Sequence, residues 1–362
     1  MDKRFLMGLE KLRGKIDILD MKIVELLNER ATIVKEIGTI KKRTNAQVYA
    51  PDREKQIYER ITANNKGPLS NKCLREIYRE LMAGSLVLEK SVKVSYLGPE
   101  GTFSYFAARG KFGASVEYLP LNGIDAVFRE VTNERTDYGV VPIENTTEGG
   151  IRETLSMFIE YDVKACAEII MPIHHNLLAN CKIDKVKKIY SKPQVFSQCK
   201  LWLANNFERV DLLDVGSTTE AAIIAAKGKD SAAIAHAGVA KIYGINILQH
   251  NIEDNPNNIT RFFVLSRVFS PPTDHDKTAV LCYVKNESGA LYKILEPFKK
   301  YNINLTDIEP LPTRKKAWDY CFYIDFLGHA TDENVKNALE EVKKTCIDLN
   351  IIGSFPAGDA TR

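Results

Sequence analysis

From Phe5 to about Lys42, apolar residues recur at Leu9, Leu12, Ile16, Leu19, Ile23, Leu26, Leu27, Ile33, Val34, Ile37 and Ile40. That is the 3.6-residue period of a helix with one apolar stripe. At 1.5 Å per residue such a helix is roughly 55 Å long, too long for one small domain to cover. Its stripe therefore calls for a second chain. Pro51 opens a second helix through about Ala63, Asn64-Asn65-Lys66-Gly67-Pro68 ends it, and a third runs from about Leu69 to Glu89. The expectation for residues 1–91 is an all-α domain, intertwined with its copy in a homodimer or higher homo-oligomer.

At Lys93 the period changes. Val92–Leu97, Tyr138–Pro142, Val163–Ile173, Lys188–Tyr190 and Ala232–Ala235 read as buried strands, separated by helices such as Thr218–Lys227. Ser217 and Glu220 have the spacing of a capping box for that helix. Residues 92–270 are expected to form an α/β domain of two lobes, with a core independent of the helical one. Pro271-Pro272-Thr273-Asp274 marks a linker. Beyond it the order is strand, helix, strand, strand, helix, strand, which over 276–362 predicts a ferredoxin-like α+β plait.

A net charge of +3 on 362 residues gives no reason to expect a nucleic-acid partner. The basic runs Lys41-Lys42-Arg43 and Arg314-Lys315-Lys316 read as solvated surface. No apolar stretch approaches the ~20 residues that span a bilayer, so no membrane partner is expected. Met1-Asp2-Lys3-Arg4 leads straight into charged periodic sequence, unlike a secretory leader. The seven cysteines are scattered without a C-x-x-C, which suits reduced thiols in the cytoplasm. His174-His175 lacks ligand spacing, so no metal and no cofactor is expected.

On the first helix Arg30 and Lys41 are eleven residues apart, about 20° around the axis. Arg13, seventeen residues before Arg30, lies about 100° away. One dicarboxylate held by all three would need Arg13 from another helix; as plain surface cations they need no ligand. Leu12-Arg13, Ile18-Leu19-Asp20, Leu26-Leu27-Asn28-Glu29-Arg30, Ile37-Gly38-x-x-Lys41 and Asp52-Arg53-Glu54 together resemble the all-helical chorismate mutases over about residues 5–90. The resemblance implies a site of Arg13 from the opposite protomer, Arg30, Lys41, Arg53, Glu54, Ser85 and Glu89. Such residues suit chorismate, whose concerted rearrangement needs positioning and electrostatics rather than a nucleophile. Two positions depart from that family. Ala50 stands where many members have a capping Asp, worth about 1 kcal/mol. Glu89 stands where some have Gln, and a carboxyl donates a hydrogen bond only when protonated.

Tyr96-Leu97-Gly98-Pro99-Glu100-Gly101-Thr102-Phe103-Ser104 joins a strand to a helix, where free backbone N–H groups can hold an anion. It is not G-x-G-x-x-G, so a dinucleotide site is not expected. With Val141-Pro142-Ile143-Glu144-Asn145-Thr146-Thr147-Glu148-Gly149, Ser191-Lys192-Pro193-Gln194, Gln198-Cys199 and Asn258-Ile259-Thr260-Arg261-Phe262, the stretch resembles prephenate dehydratases over about residues 93–270. That family has a two-lobed fold like periplasmic binding proteins, with substrate in the cleft. The implied site comprises Thr102, Ser104, Asn145, Thr147, Ser191, Gln198, Thr260, Arg261 and Phe262. Thr260 would act on the leaving hydroxyl of prephenate, and Arg261 or the glycine-loop amides would hold a carboxylate.

Asn286-Glu287-Ser288-Gly289-Ala290-Leu291 and Ile308-Glu309-Pro310-Leu311-Pro312 resemble the ACT domain of phenylalanine-inhibited dehydratases. Gly289, Ala290, Leu291 and Glu309 are the implied effector residues for L-phenylalanine. Pro310 and Leu311 replace the family's usual Ser and Arg, so weak feedback is expected. Taken together, the three resemblances imply a bifunctional enzyme of phenylalanine biosynthesis. Arogenate dehydration and non-catalytic ligand sensing on the same fold stay open as alternatives.

Overall fold

The computed structural model describes residues 3–44, 48–147, 149–312 and 320–358; Met1, Asp2, Glu148 and the run Arg314-Lys315-Lys316 lie outside them. Helices α1 (Lys3–Thr44), α2 (Pro51–Ala63) and α3 (Asn71–Glu89) form the N-terminal segment. At 42 residues, α1 runs about 63 Å. Leu12, Ile16, Leu19, Ile23 and Leu26 on its stripe are each more than half exposed in the single chain. α3 is capped by Ser70, whose hydroxyl accepts from Cys73 N–H, whereas Ala50 gives α2 no side-chain cap. α1 and α3 pack closely at Gly38, where an added Cβ would stand 3.0 Å from Glu89 Cα.

The first lobe of the middle segment holds β1 (Lys93–Leu97), α4 (Phe103–Phe112), β2 (Glu117–Leu121), α5 (Ile124–Thr132), β3 (Tyr138–Asn145), β4 (Gly149–Gly150), α6 (Arg152–Glu160) and β5 (Lys164–Pro172). The second holds β6 (Asn176–Ala179), β7 (Lys188–Ser191), α7 (Pro193–Gln198), α8 (Lys200–Asn206), β8 (Asp211–Asp214), α9 (Thr218–Lys227), β9 (Ser231–Ala235), α10 (Gly238–Tyr243) and β10 (Ile247–Gln249). The chain then returns to the first lobe as β11 (Ile259–Ser266). The plait comprises β12 (Asp276–Val284), α11 (Ala290–Lys300), β13 (Leu305–Pro312), β14 (Tyr320–Leu327), α12 (Glu333–Thr345) and β15 (Asp348–Pro356).

Among the described residues the strands form two sheets. One runs β13-β14-β12-β15-β5-β11-β3-β1-β2, with β4 on β3, and the other runs β10-β6-β9-β7-β8. The plait thus continues the first lobe's sheet, joined where Gly353 pairs with Ala165. An added Cβ on Gly353 would lie 2.8 Å from Ala165 O, so only glycine permits that approach.

The cores are shared, contrary to the expectation of independent ones. One apolar cluster unites Phe128, Phe158 and Phe263 of the first lobe with Leu311, Tyr323 and Phe355 of the plait. Another sets Tyr49, from the turn before α2, among Phe112, Tyr138 and Phe262, with Leu86 of α3 against it. The physical reason is that both faces of the first lobe's sheet are apolar. Each face is covered by what the chain places beside it, whatever the period of the covering segment.

Candidate functional site

In the helical segment, Arg30 Nη1 donates to Ser85 Oγ at 2.5 Å, and Ser85 Oγ donates to Leu81 O at 2.8 Å. Three turns on, Lys41 Nζ lies 2.9 Å from a buried Glu89 Oε2 and donates to Val48 O at 2.8 Å. The structure therefore brings Arg30, Ser85, Lys41 and Glu89 to one α1–α3 seam. Arg53 is exposed and bonds Gln56 Oε1 at 3.2 Å. Glu54 Oε2 accepts from Tyr49 OH at 2.8 Å and pairs with Lys111 Nζ at 2.9 Å. Arg13 is exposed on α1, about 25 Å along the axis from Arg30, and does not join them within one chain.

Between the lobes, antiparallel pairing of β11 with β3 puts Thr260 opposite Asn145. Asn145 Nδ2 donates to Thr260 Oγ1 at 2.8 Å and to Asn258 Oδ1 at 2.9 Å. Its Oδ1 accepts from Thr147 N–H at 2.9 Å and from Thr147 Oγ1. Gln198, from the second lobe, donates to Thr147 Oγ1 at 3.4 Å and meets His175 Nε2 at 2.7 Å. A hydroxyl that accepts from an amide keeps its own hydrogen to give, so Thr260 is set as a donor. The imidazoles nearby favour their neutral form. Burial pushes His175 below its ordinary value and takes His236 down to about 4, and Phe103 meets both rings edge-on.

Two of the remaining motif hydroxyls, those of Thr102 and Ser191, bond within the scaffold. Thr102 Oγ1 donates to Leu97 O at 2.9 Å and accepts from Tyr105 N–H at 3.3 Å, capping α4. Ser104 is buried in the first turn of α4. Ser191 Oγ donates to Ile234 O at 2.9 Å, tying β7 to β9. Gly101 has φ +92, and an added Cβ would stand 3.1 Å from Thr219 Oγ1 of α9. The glycine loop therefore touches the second lobe directly.

Arg261 and Phe262 lie elsewhere than expected. Successive side chains on a strand point to opposite faces, so Arg261 cannot share a face with Thr260. Its Nε is 2.5 Å from Glu168 Oε2 and its Nη2 is 2.5 Å from Asp325 Oδ2 of the plait. The guanidinium sits over the Phe263 ring at 5.1 Å. It is thus held by carboxylates of the chain itself. Phe262 is fully buried in the apolar cluster around Tyr96 and Phe112.

In the plait, Gly289, Ala290 and Leu291 line a cavity of about 320 Å³ with Asn286, Tyr320 and Phe322. Gly289 has φ +79 at the start of α11. Glu309 is not part of that lining. Its carboxyl lies against Gly150 of β4, where an added Cβ would stand 3.0 Å from Oε1. Leu311 is fully buried in the core shared with the first lobe.

Three family models match the chain: chorismate mutase type II over residues 12–90, prephenate dehydratase over 94–269 and the ACT domain over 278–344. A bifunctional chorismate mutase/prephenate dehydratase of Aquifex aeolicus is 46% identical over 353 residues, covering 96% of this chain and 98% of its own. The chain belongs to the bifunctional chorismate mutase/prephenate dehydratase family. The Pseudomonas aeruginosa member is 40% identical over 355 residues, 96% of this chain and 97% of that one. A crystal structure of an Arthrobacter aurescens prephenate dehydratase in complex with L-Phe has a TM-score of 0.69 at 31% identity, covering 74% of this chain and 90% of that one.

Motif reading passed over residues on both sides of the first lobe. Near the mutase seam these are Tyr49 and Lys111, which the helical pattern does not reveal. In the dehydratase cleft they are Asn258, which opens a motif but is not among its implied site residues, and His175, set aside with its neighbour as no metal ligand. Among the described residues no group of three or more His, Cys, Asp or Glu could hold a metal ion. No described helix is long and apolar enough to cross a membrane.

Where the dehydratase domain meets the plait, acids outnumber cations. Asp307 is raised from 3.8 to about 6, by burial first and then by the charges of Glu144, Glu309 and Asp325. Its folded form therefore holds a proton more tightly than the unfolded chain does. The stability this contributes is full below 3.8 and is lost as pH rises through about 6. Asp307→Asn should leave the Tm nearly unchanged at about pH 4 and raise it at about pH 7.5. Thermal melts at both values check this, and an equal shift at both would contradict it.

Proposed function

We propose that the protein rearranges chorismate to prephenate at the α1–α3 seam and converts prephenate to phenylpyruvate in the cleft between the lobes. These are consecutive steps of phenylalanine biosynthesis, and free cysteine thiols suit a cytoplasmic home. In the first step Arg30 binds a carboxylate with the donors that Ser85 leaves, and its fork makes that bond bidentate. The second carboxylate falls to Arg13 of another copy, because Arg13 of the same chain is too far away. A homodimer also buries the exposed stripe of α1, at roughly 25 cal/mol per Å² of apolar surface. Lys41, with Glu89 beside it, faces the ether oxygen, where negative charge builds as the carbon–oxygen bond breaks. Arg53 and Glu54 close the site at the head of α2.

In the second step prephenate loses carbon dioxide from the ring carbon. That electron pair completes the aromatic ring and expels the hydroxyl, which leaves as water once it gains a proton. The observation that carries this reading is the bond from Asn145 to Thr260, which leaves the threonine its own hydrogen to give. Thr147, Gln198 and Asn258 hold Asn145 in place, a preorganised set of neutral donors beside neutral imidazoles. With Arg261 engaged elsewhere, the backbone N–H groups at the head of α4, next to Ser104, are the donors for a carboxylate.

Arg30→Ala should abolish mutase turnover and leave dehydration of added prephenate near wild type. Thr260→Ala should do the reverse, lowering dehydration by about a hundredfold or more. Arg13→Ala should fail as Arg30→Ala does, and mixing the two inactive proteins should restore part of the mutase activity. Either single variant silencing both steps in a folded protein would refute the two-site assignment. No recovery on mixing would refute the shared site.

L-phenylalanine is proposed to occupy the plait cavity, its carboxylate on the N–H groups that follow Gly289 and its ring against Leu291 and Phe322. Leu311, buried in the shared core, offers that ligand nothing. Gly289→Val forces a branched residue into the left-handed region at a cost of about 1–3 kcal/mol, and should weaken phenylalanine binding by about tenfold or more. Titration calorimetry on both proteins measures this, and equal affinities would place the effector elsewhere.

A further inference from the structure

Helix α4 belongs to the dehydratase domain, yet its C-terminal end packs against the mutase domain. Gly113, just past that end, is pressed against α3, since an added Cβ would stand 2.5 Å from Ala83 Cβ. Ala114 N–H donates to Glu80 Oε2 at 2.9 Å. Toward α2, Lys111 Nζ meets Glu54 Oε2 at 2.9 Å, with the lysine side chain 23% and the glutamate 11% exposed. Tyr49, 4% exposed, reaches the same oxygen with its hydroxyl at 2.8 Å. The Lys111 ammonium also sits 5.8 Å from the Tyr49 ring centre. Tyr49 itself is locked by Phe112, with ring centres 5.0 Å apart, and by Tyr138 OH, which accepts its N–H at 3.2 Å.

We propose that Lys111 is a positioning residue of the mutase site, so that a residue of the dehydratase domain completes the first active site. Both bonds to Glu54 fall on Oε2, which fixes the plane of the carboxylate and leaves Oε1 to accept from the ring hydroxyl of chorismate. Without the ammonium, the carboxylate at the uncapped head of α2 has only the tyrosine hydroxyl to orient it. A half-buried charge-assisted bond is stronger and more directional than a solvated pair. Lys111 lies nine positions along α4 from Thr102, about 13 Å from the end that faces the dehydratase cleft. Lys111 therefore touches nothing in the second reaction. This inference rests on the helical domain being a mutase.

The test uses the full-length protein as Lys111→Met and Lys111→Arg, assayed separately on chorismate and on added prephenate. Lys111→Met should lower kcat/KM for chorismate by about tenfold, while kcat/KM for prephenate stays within about twofold. Lys111→Arg, which keeps the charge, should recover most of the loss. Tyr49→Phe keeps the ring, removes only the second bond to Oε2, and should lower the mutase step in the same direction if Lys111→Met folds poorly. Wild-type mutase kinetics in Lys111→Met, an arginine variant as impaired as the methionine one, or equal loss of both activities would each overturn the proposal. A wild-type protein that leaves chorismate unchanged would instead fail the mutase reading itself.

Discussion

Strand β11 is the constraint on which the rest of the structure depends. It lies between β3 and β5 in the large sheet, and its period of two sends neighbouring residues to opposite faces. Thr260 goes to the cleft, where β3 supplies Asn145 directly across. Arg261 goes to the other face and reaches Glu168 of β5 and Asp325 of β14. One peptide bond therefore separates the hydroxyl proposed for dehydration from the ion cluster that fastens the regulatory plait. A shift of one residue in register would exchange the two and lose both.

The ion cluster fixes geometry more than it adds stability. Burial by itself lowers the basicity of Arg261, and the charges of Asp325 and Glu168 more than reverse that. Lys277 Nζ adds a second cation 3.3 Å from Glu168 Oε1. Replacing such a set by apolar residues is often neutral, whereas removing one partner costs about 3–5 kcal/mol because a bare charge is left buried. The plait is thereby held in one orientation on the dehydratase sheet. Glu309 against Gly150 and Gly353 against Ala165 place further plait contacts on β4 and β5, beside the strands that carry the cleft. Of these, the contact at Gly150 is the one next to the cleft, since Gly150 pairs with Glu144 beside Asn145.

Much of this was legible in the chain. The apolar stripe of α1 specified a long helix in need of cover, and the strand–helix order beyond Asp276 specified the plait. The motifs placed Asn145 and Thr260 close enough for pairing to unite them. The side of the strand taken by Arg261 was also legible, because alternation forbids it the face of Thr260, but reading the motif as one block hid this. What was not legible is the pairing of distant charges. Arg261 finds Glu168 and Asp325, and Glu54 finds Lys111, across separations that no local period records. The shared cores were hidden for a related reason, since an apolar face does not say which segment will cover it.

The central claim is that both reactions take place on this chain, one after the other. Its most direct test is a time course of purified protein with chorismate, following chorismate, prephenate and phenylpyruvate together. Two working sites predict that chorismate is consumed and ends as phenylpyruvate in equal amount. Prephenate that accumulates without conversion, or that binds the cleft with no phenylpyruvate formed, would contradict it.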